Sequence, residues 1–233
     1  MKKKYILISI ISLIVLCIIG FIIYVSDYYK SIDIDKYLTS NEIVKVEKKD
    51  DGYFFDGPGT ENLIIMYPGA KVEYTSYAPL LYKLSESGID SYIVKMPLNI
   101  AFFGKNKASN IINNYKYNNY YVMGHSLGGV VLSSFIKNRN DISGIIFLAS
   151  YPNNIINIKS LSIYGDNDKV LNIKKYNEAK KYFSNNNTEF VIKGGNHSGF
   201  ASYGNQKDDG ERIISIDEQI NITIDEIIKF INK

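Results

Sequence analysis

The sequence predicts an α/β fold, a mostly parallel central sheet with helices on both faces, set behind one N-terminal transmembrane helix. Three observations predict it. Short apolar runs of strand length alternate along the chain with segments whose apolar residues recur at helical period. One of those runs, at 119–123, passes through a tight glycine-flanked turn straight into an apolar helical segment at 129–137. The first 26 residues differ in composition from the rest, with no charged residue from Tyr5 to Val25.

The elements follow in order. After Met1-Lys2-Lys3-Lys4, the apolar run at 6–25 matches the roughly 20 residues that cross a bilayer. It lacks the small-x-small pattern of a cleavage site and is longer than a usual signal core. Cys17 follows Val15-Leu16 rather than the small residues of a lipoprotein site. These features predict a retained anchor over 1–26. Three lysines before the span and a mixed-charge stretch at 27–36 put the N-terminus in the cytoplasm and the rest of the chain outside. A polar tether is expected at 27–42, and one domain over 43–233.

Within that domain, strands at 43–49 and 52–55 flank an Asp50-Asp51-Gly52 turn, an opening hairpin. A buried strand follows at 62–67, then a helix at 77–87 ending on Gly88, then a strand at 91–95 stopped by Pro97. A short helix is expected at 108–115. Beyond the 119–123 strand and its helix come strands at 142–148 and 160–164, a helix at 172–183, a last strand at 188–192 and a closing helix at 216–232. In the closing helix Ile220, Ile224, Ile227, Ile228 and Ile231 recur at helical period. The connection at 149–159 is short, which predicts no cap domain and an open, shallow site. About 190 residues suffice for one self-sufficient core.

Charge and cysteine content exclude several classes. Of 27 Lys and Arg, three are Lys2, Lys3 and Lys4; the other 24 balance 24 Asp and Glu. A formally neutral region after the anchor argues against a nucleic-acid partner, which usually needs a basic face, and gives no steering toward anionic substrates. The single cysteine rules out an internal disulfide. No His/Cys cluster suggests a metal, and no cofactor is implied.

The chemistry gathers in four places. Gly124-His125-Ser126-Leu127-Gly128 sits on the strand-to-helix turn, where small residues let strand and helix approach and leave the Ser126 hydroxyl exposed beside the Leu127 N–H. A serine hydroxyl needs a base, and the base needs an orienting acid. The chain has two histidines. His125 lies within the turn beside Ser126, so His197, in Gly194-Gly195-Asn196-His197 after the run at 190–192, is the candidate base. Gly165-Asp166-Asn167-Asp168 follows the 160–164 strand and offers two carboxylates. Tyr67-Pro68-Gly69-Ala70-Lys71-Val72-Glu73 follows the 62–67 strand.

Together with Val94-Lys95-Met96-Pro97-Leu98-Asn99 and Gly124-His125-Ser126-Leu127-Gly128-Gly129, these segments resemble the α/β-hydrolase superfamily. More narrowly they resemble the compact bacterial group related to dienelactone hydrolases, over about residues 45 to 232. The resemblance implies an α/β-hydrolase fold and a serine triad in the chain order Ser, acid, His. Asp168, two residues past the turn-shaping Asp166, is then the favoured acid. It also implies an oxyanion hole from the N–H of Leu127 and an N–H of the 68–71 loop, Ala70 first and Lys71 as a neighbouring alternative. Dienelactone hydrolases use a cysteine where this chain has Ser126, so their substrate is not carried over.

The expected function is a membrane-anchored serine hydrolase acting on a small-molecule, lipid or cell-envelope ester or related acyl bond. Acyl transfer and peptide cleavage use the same triad, and a non-catalytic binding protein on the same fold is the alternative from another class. Phe102, Phe103, Phe200 and Tyr203 either line an acyl pocket or pack as ordinary core.

Overall fold

The structure is a computed structural model that describes residues 2–233; Met1, the first residue of the expected anchor, and the Lys2 side chain lie outside the described residues. Eight strands form one sheet in the order β1-β2-β4-β3-β5-β6-β7-β8. The hairpin β1 (Lys45–Lys49) and β2 (Gly52–Asp56) closes on the expected turn, with Lys49 opposite Gly52. β2 joins β4 (Asp90–Val94) antiparallel. From β4 onward every pairing is parallel, through β3 (Asn62–Tyr67), β5 (Asn119–His125), β6 (Gly144–Leu148), β7 (Lys159–Gly165) and β8 (Asn187–Ile192). Six parallel strands therefore end on one edge, and the loops that follow them share it.

The central strands β3 and β6 read as near-continuous apolar runs because both faces are covered. On one face, Leu80, Leu81 and Leu84 of α2 (Ala78–Glu86) pack with Ile220, Ile224 and Ile227 of α6 (Ile216–Ile231). On the other, Ala108 and Ile111 of α3 (Lys107–Asn114) pack with Val131, Leu132 and Phe135 of α4 (Leu127–Phe135). α6 starts on an N-cap: Ser215 Oγ accepts the N–H of Glu218 at 3.1 Å, with acidic Asp217 and Glu218 in the first turn. α5 (Ile173–Ala179) is shorter than the sequence suggests. Its chain tightens into a 3₁₀ turn at Lys180–Tyr182, and Phe183 stacks edge-on against Phe147 of β6 at 5.5 Å. Residues 149–158 hold no helix or strand.

α1 (Lys2–Ser26) is a single helix whose most apolar 18-residue stretch has mean hydropathy 3.3, and its apolar side chains are exposed as far as Tyr24, with Val25 buried. By length and composition it is a candidate membrane span. The segment at 27–42, expected as a tether, runs along the domain. Tyr29 pairs with Val72 in an isolated parallel bridge, Ile34 is buried, and Tyr37 stacks on Tyr82 of α2 at 5.7 Å.

Candidate active site

β5 ends at His125 and α4 begins at Leu127, so Ser126 alone makes the turn. Its backbone sits at φ 51°, ψ −121°, a region that costs a non-glycine residue about 1–3 kcal/mol. Neighbours hold it there. The Ser126 N–H donates to Leu148 O at 2.9 Å, and its carbonyl accepts from Ser150 Oγ at 2.6 Å. Close approach dictates the flanking glycines: a Cβ on Gly124 would lie 2.3 Å from Gly129 N, and one on Gly128 would lie 2.3 Å from Tyr67 O. Gly128 is thus where the start of α4 meets the end of β3.

That contact carries the 68–71 loop beside the serine. In this loop the Gly69 N–H donates to Tyr77 Oη at 2.9 Å and the Lys71 N–H to Asn99 O at 2.8 Å. The Ala70 N–H between them has no acceptor among the described residues, and neither has the Leu127 N–H at the first position of α4. Two free donors from adjoining loops are what an oxyanion hole requires. The engaged Lys71 N–H is the weaker candidate.

The histidine loop is built from three sides. Asp166 N–H donates to Ile192 O at 3.1 Å and Asn167 N–H to Gly195 O at 3.0 Å, which sets the end of β7 against the end of β8. Asp209 Oδ1 accepts the His197 N–H at 3.3 Å and its Oδ2 accepts the Ser198 N–H at 2.9 Å. From α6, buried Gln219 donates to Asn196 O at 2.8 Å and accepts from Asn196 N at 3.1 Å.

His197 Nδ1 lies 2.9 Å from Asp168 Oδ2, with both side chains buried. The other oxygen of Asp168 accepts N–H bonds from Val170 at 2.9 Å and Leu171 at 2.7 Å, so the carboxylate is fixed. Asp166 is engaged differently: its Oδ1 accepts the Gly194 N–H at 2.7 Å and shapes the loop. Ser126 and His197 line one cavity of about 230 Å³, together with Leu127, Val130, Tyr151 and Leu171. Ser126 Oγ makes no hydrogen bond to the imidazole among the described residues, and such bonds often tighten only when substrate is present.

Behind the cavity lies a second imidazole. His125 Nε2 is 3.1 Å from the His197 carbonyl, which can only accept, so that nitrogen carries the proton. Its Nδ1 then accepts from Tyr77 Oη at 2.7 Å, and that same oxygen accepts the Gly69 N–H. One buried chain thus links the 68–71 loop, the elbow and the loop of His197. Burial, and secondarily the neighbouring His197, hold His125 well below its ordinary pKa of 6.5, so it stays neutral.

None of the four aromatic candidates is among the residues lining this cavity. Phe200 and Tyr203 are buried, Phe200 against His125 at 5.7 Å, while Phe102 and Phe103 are exposed at 70% and 50%. Sequence reasoning missed Tyr77, Asp209 and Gln219. Only Gln219 left a signal, a polar residue on the buried stripe of an amphipathic helix. A larger depression of about 880 Å³ between the β1–β2 hairpin and α3 lies away from these groups. Among the described residues no three His, Cys, Asp or Glu side chains gather as a metal site needs.

Residues 63–221 match the family model described as the alpha/beta hydrolase family. No curated protein matches the sequence. Among solved structures the chain is similar to a predicted CIB-like hydrolase from Thermoplasma acidophilum, with 17% identity over 79% of this chain and 96% of that one and a TM-score of 0.54. It is also similar to Est1E from Butyrivibrio proteoclasticus, with 14% identity, coverage of 82% and 100%, and a TM-score of 0.55. A third is the naproxen esterase (carboxylesterase NP) of Bacillus subtilis, with 11% identity, coverage of 84% and 95%, and a TM-score of 0.57. At these identities the likeness is one of fold.

Proposed function

We propose that this chain, which belongs to the alpha/beta hydrolase family, is a serine hydrolase of carboxylic esters, held in a membrane by α1 with its domain on the extracytoplasmic side. Ser126 Oγ attacks the ester carbonyl while His197 takes its proton. Asp168 keeps the imidazole in the Nδ1–H tautomer and stabilises the imidazolium without becoming protonated. The N–H groups of Leu127 and Ala70 receive the developing oxyanion. His197 then protonates the departing alcohol, leaving an acyl-serine, and next activates the water that releases the acid.

The observation that carries this reading is the shared cavity. It is lined by a serine on a strained turn and by an imidazole whose far nitrogen is bound to a fixed carboxylate. The two free N–H donors add to it. Ser126 stands where dienelactone hydrolases carry cysteine, so no dienelactone substrate is proposed. The naproxen esterase among the similar structures favours an ester over a peptide bond. The span and its flanking lysines support the membrane location.

A fluorophosphonate probe applied to cells tests both parts at once. A labelled band is expected in alkali-washed membranes, absent in Ser126→Ala and reduced by about 10³-fold or more in rate in His197→Ala and Asp168→Asn. Asp166→Asn should keep more activity than Asp168→Asn. Undiminished labelling of Ser126→Ala would overturn the nucleophile, and a band found in the soluble fraction would overturn the anchor.

A further inference from the structure

The last turns of α1 rest on the active-site edge of the domain. The Phe21 ring meets that of Phe103 edge-on at 6.3 Å. Lys71 Nζ sits over the Tyr24 ring at 4.5 Å and lies 3.0 Å from Asp27 Oδ2. Tyr29 N–H donates to Lys71 O, and Glu73 N–H to Tyr29 O, each at 2.8 Å. The helix therefore leads into the same 68–73 loop that offers the Ala70 N–H.

Beside it projects the loop that follows β4. Leu98, Phe102 and Phe103 are exposed at 49%, 70% and 50%, three large apolar side chains turned outward on one short loop. The loop is braced: Asn99 O accepts the Lys71 N–H, and the N–H groups of Asn99, Ile100 and Phe103 each bond three residues back. Leu98 and Asn99 are held at φ 54° and 53°, a left-handed conformation that leucine rarely adopts, and the Leu98 side chain stays outside. Exposed Lys95 and Lys105 stand at its rim.

The depth of Phe21 says what covers this group. Phe21 lies four residues before Val25, the end of the apolar run, or about 6 Å at 1.5 Å per residue. A 20-residue run is about as long as the hydrocarbon core is thick. With α1 spanning, Phe21 lies inside the hydrocarbon boundary, and Phe103 in contact with it lies there too. Tyr24, Lys71 and Asp27 then fall at the headgroup level, where aromatic rings and lysines are at home.

We propose that the loop from Pro97 to Gly104 is a membrane wedge that seats the active-site edge on the bilayer, and that the substrate is an acyl ester of a lipid in that bilayer. This rests on the serine-hydrolase reading and on α1 as a span. Ser126 Oγ would form the acyl-serine while the lipid's alcohol leaves with the proton held by His197. Water then supplies the hydroxyl of the released fatty acid and returns a proton to Ser126.

The sequence has no tryptophan, so an introduced one reports its own surroundings. The full chain is reconstituted in phosphatidylcholine–phosphatidylglycerol vesicles whose acyl chains carry bromine near the headgroup. Phe102→Trp is expected to be quenched. Asn140→Trp, exposed in the loop leading to β6 at the opposite edge, is expected not to be. Phe102→Asp combined with Phe103→Asp should lower fatty-acid release from vesicle lipid by about tenfold or more while hydrolysis of a soluble nitrophenyl ester changes by less than about twofold. An unquenched Phe102→Trp, in a preparation that keeps the far-ultraviolet circular dichroism of the unsubstituted chain, overturns the wedge. So does an equal loss on lipid and soluble ester. Release of no fatty acid by an unsubstituted chain that cleaves the soluble ester overturns the lipid substrate. Failure of the unsubstituted chain to react with the probe takes down the hydrolase reading instead, and the quenching measurement still decides the wedge.

Discussion

At the scale of single residues, His125 has the most consequential environment. It is neutral, buried and bonded at both nitrogens, to Tyr77 and to the carbonyl of the proposed base. Its depressed pKa couples stability to pH. Above about 6.5 neither the folded nor the unfolded chain protonates it, and stability is full. Below that value the unfolded chain takes up a proton that the folded site refuses, so stability falls until the folded pKa is reached. Each pH unit in this window costs up to about 1.4 kcal/mol. Urea unfolding of the detergent-solubilised chain at pH 7 and pH 5.5 should therefore show an acid loss about 1 kcal/mol larger than in His125→Gln, whose amide does not titrate. Parallel losses in the two proteins would refute the assignment. The elbow and the residues proposed as base and acid could be singled out because each sits in a local pattern of glycine, aspartate and strand end. Tyr77 was not, since it lies 48 residues from the histidine it contacts. Asp209 was not either, because an aspartate beside a glycine in a polar loop looks like any solvated turn.

At the scale of elements, the site depends on how closely β3, β5 and α4 converge. Gly128 is the point of closest approach, with the Tyr67 carbonyl where a side chain would be. Gly128→Ala should push the 68–71 loop away from Ser126. We expect a stability loss of about 3 kcal/mol, seen as a Tm lowered by roughly 5–10 °C, with probe labelling slowed more than the Tm change accounts for. A folded Gly128→Ala protein that labels at the normal rate would show that the loop does not serve the serine. The central strands were readable almost to the residue, since β3 and β6, covered on both faces, are nearly uninterrupted apolar runs. Helix ends were less so. The end of α5 is decided by Phe183 reaching Phe147, a tertiary contact that leaves no local trace.

At the scale of the whole molecule, the chain divides by composition but not by contact. The apolar helix with its three leading lysines and the formally neutral remainder are distinct in the sequence. Yet the sixteen-residue stretch between them is stitched to the domain: Ser31 donates to Glu73 at 2.9 Å, Ile32 to Ser202 at 2.9 Å, and Lys207 N–H to Tyr29 Oη at 2.9 Å. Polar composition hides this, because the bonds run through backbone and small side chains that any linker has. A fragment that leaves α1 behind must therefore be cut at a point chosen with care. A fragment beginning at Ile43 discards the strap that closes over Val72 and Glu73, whereas one beginning at Asp27 keeps it. Side-by-side melting should find the shorter fragment weaker by about 2–4 kcal/mol, and equal melting would show the strap to be dispensable.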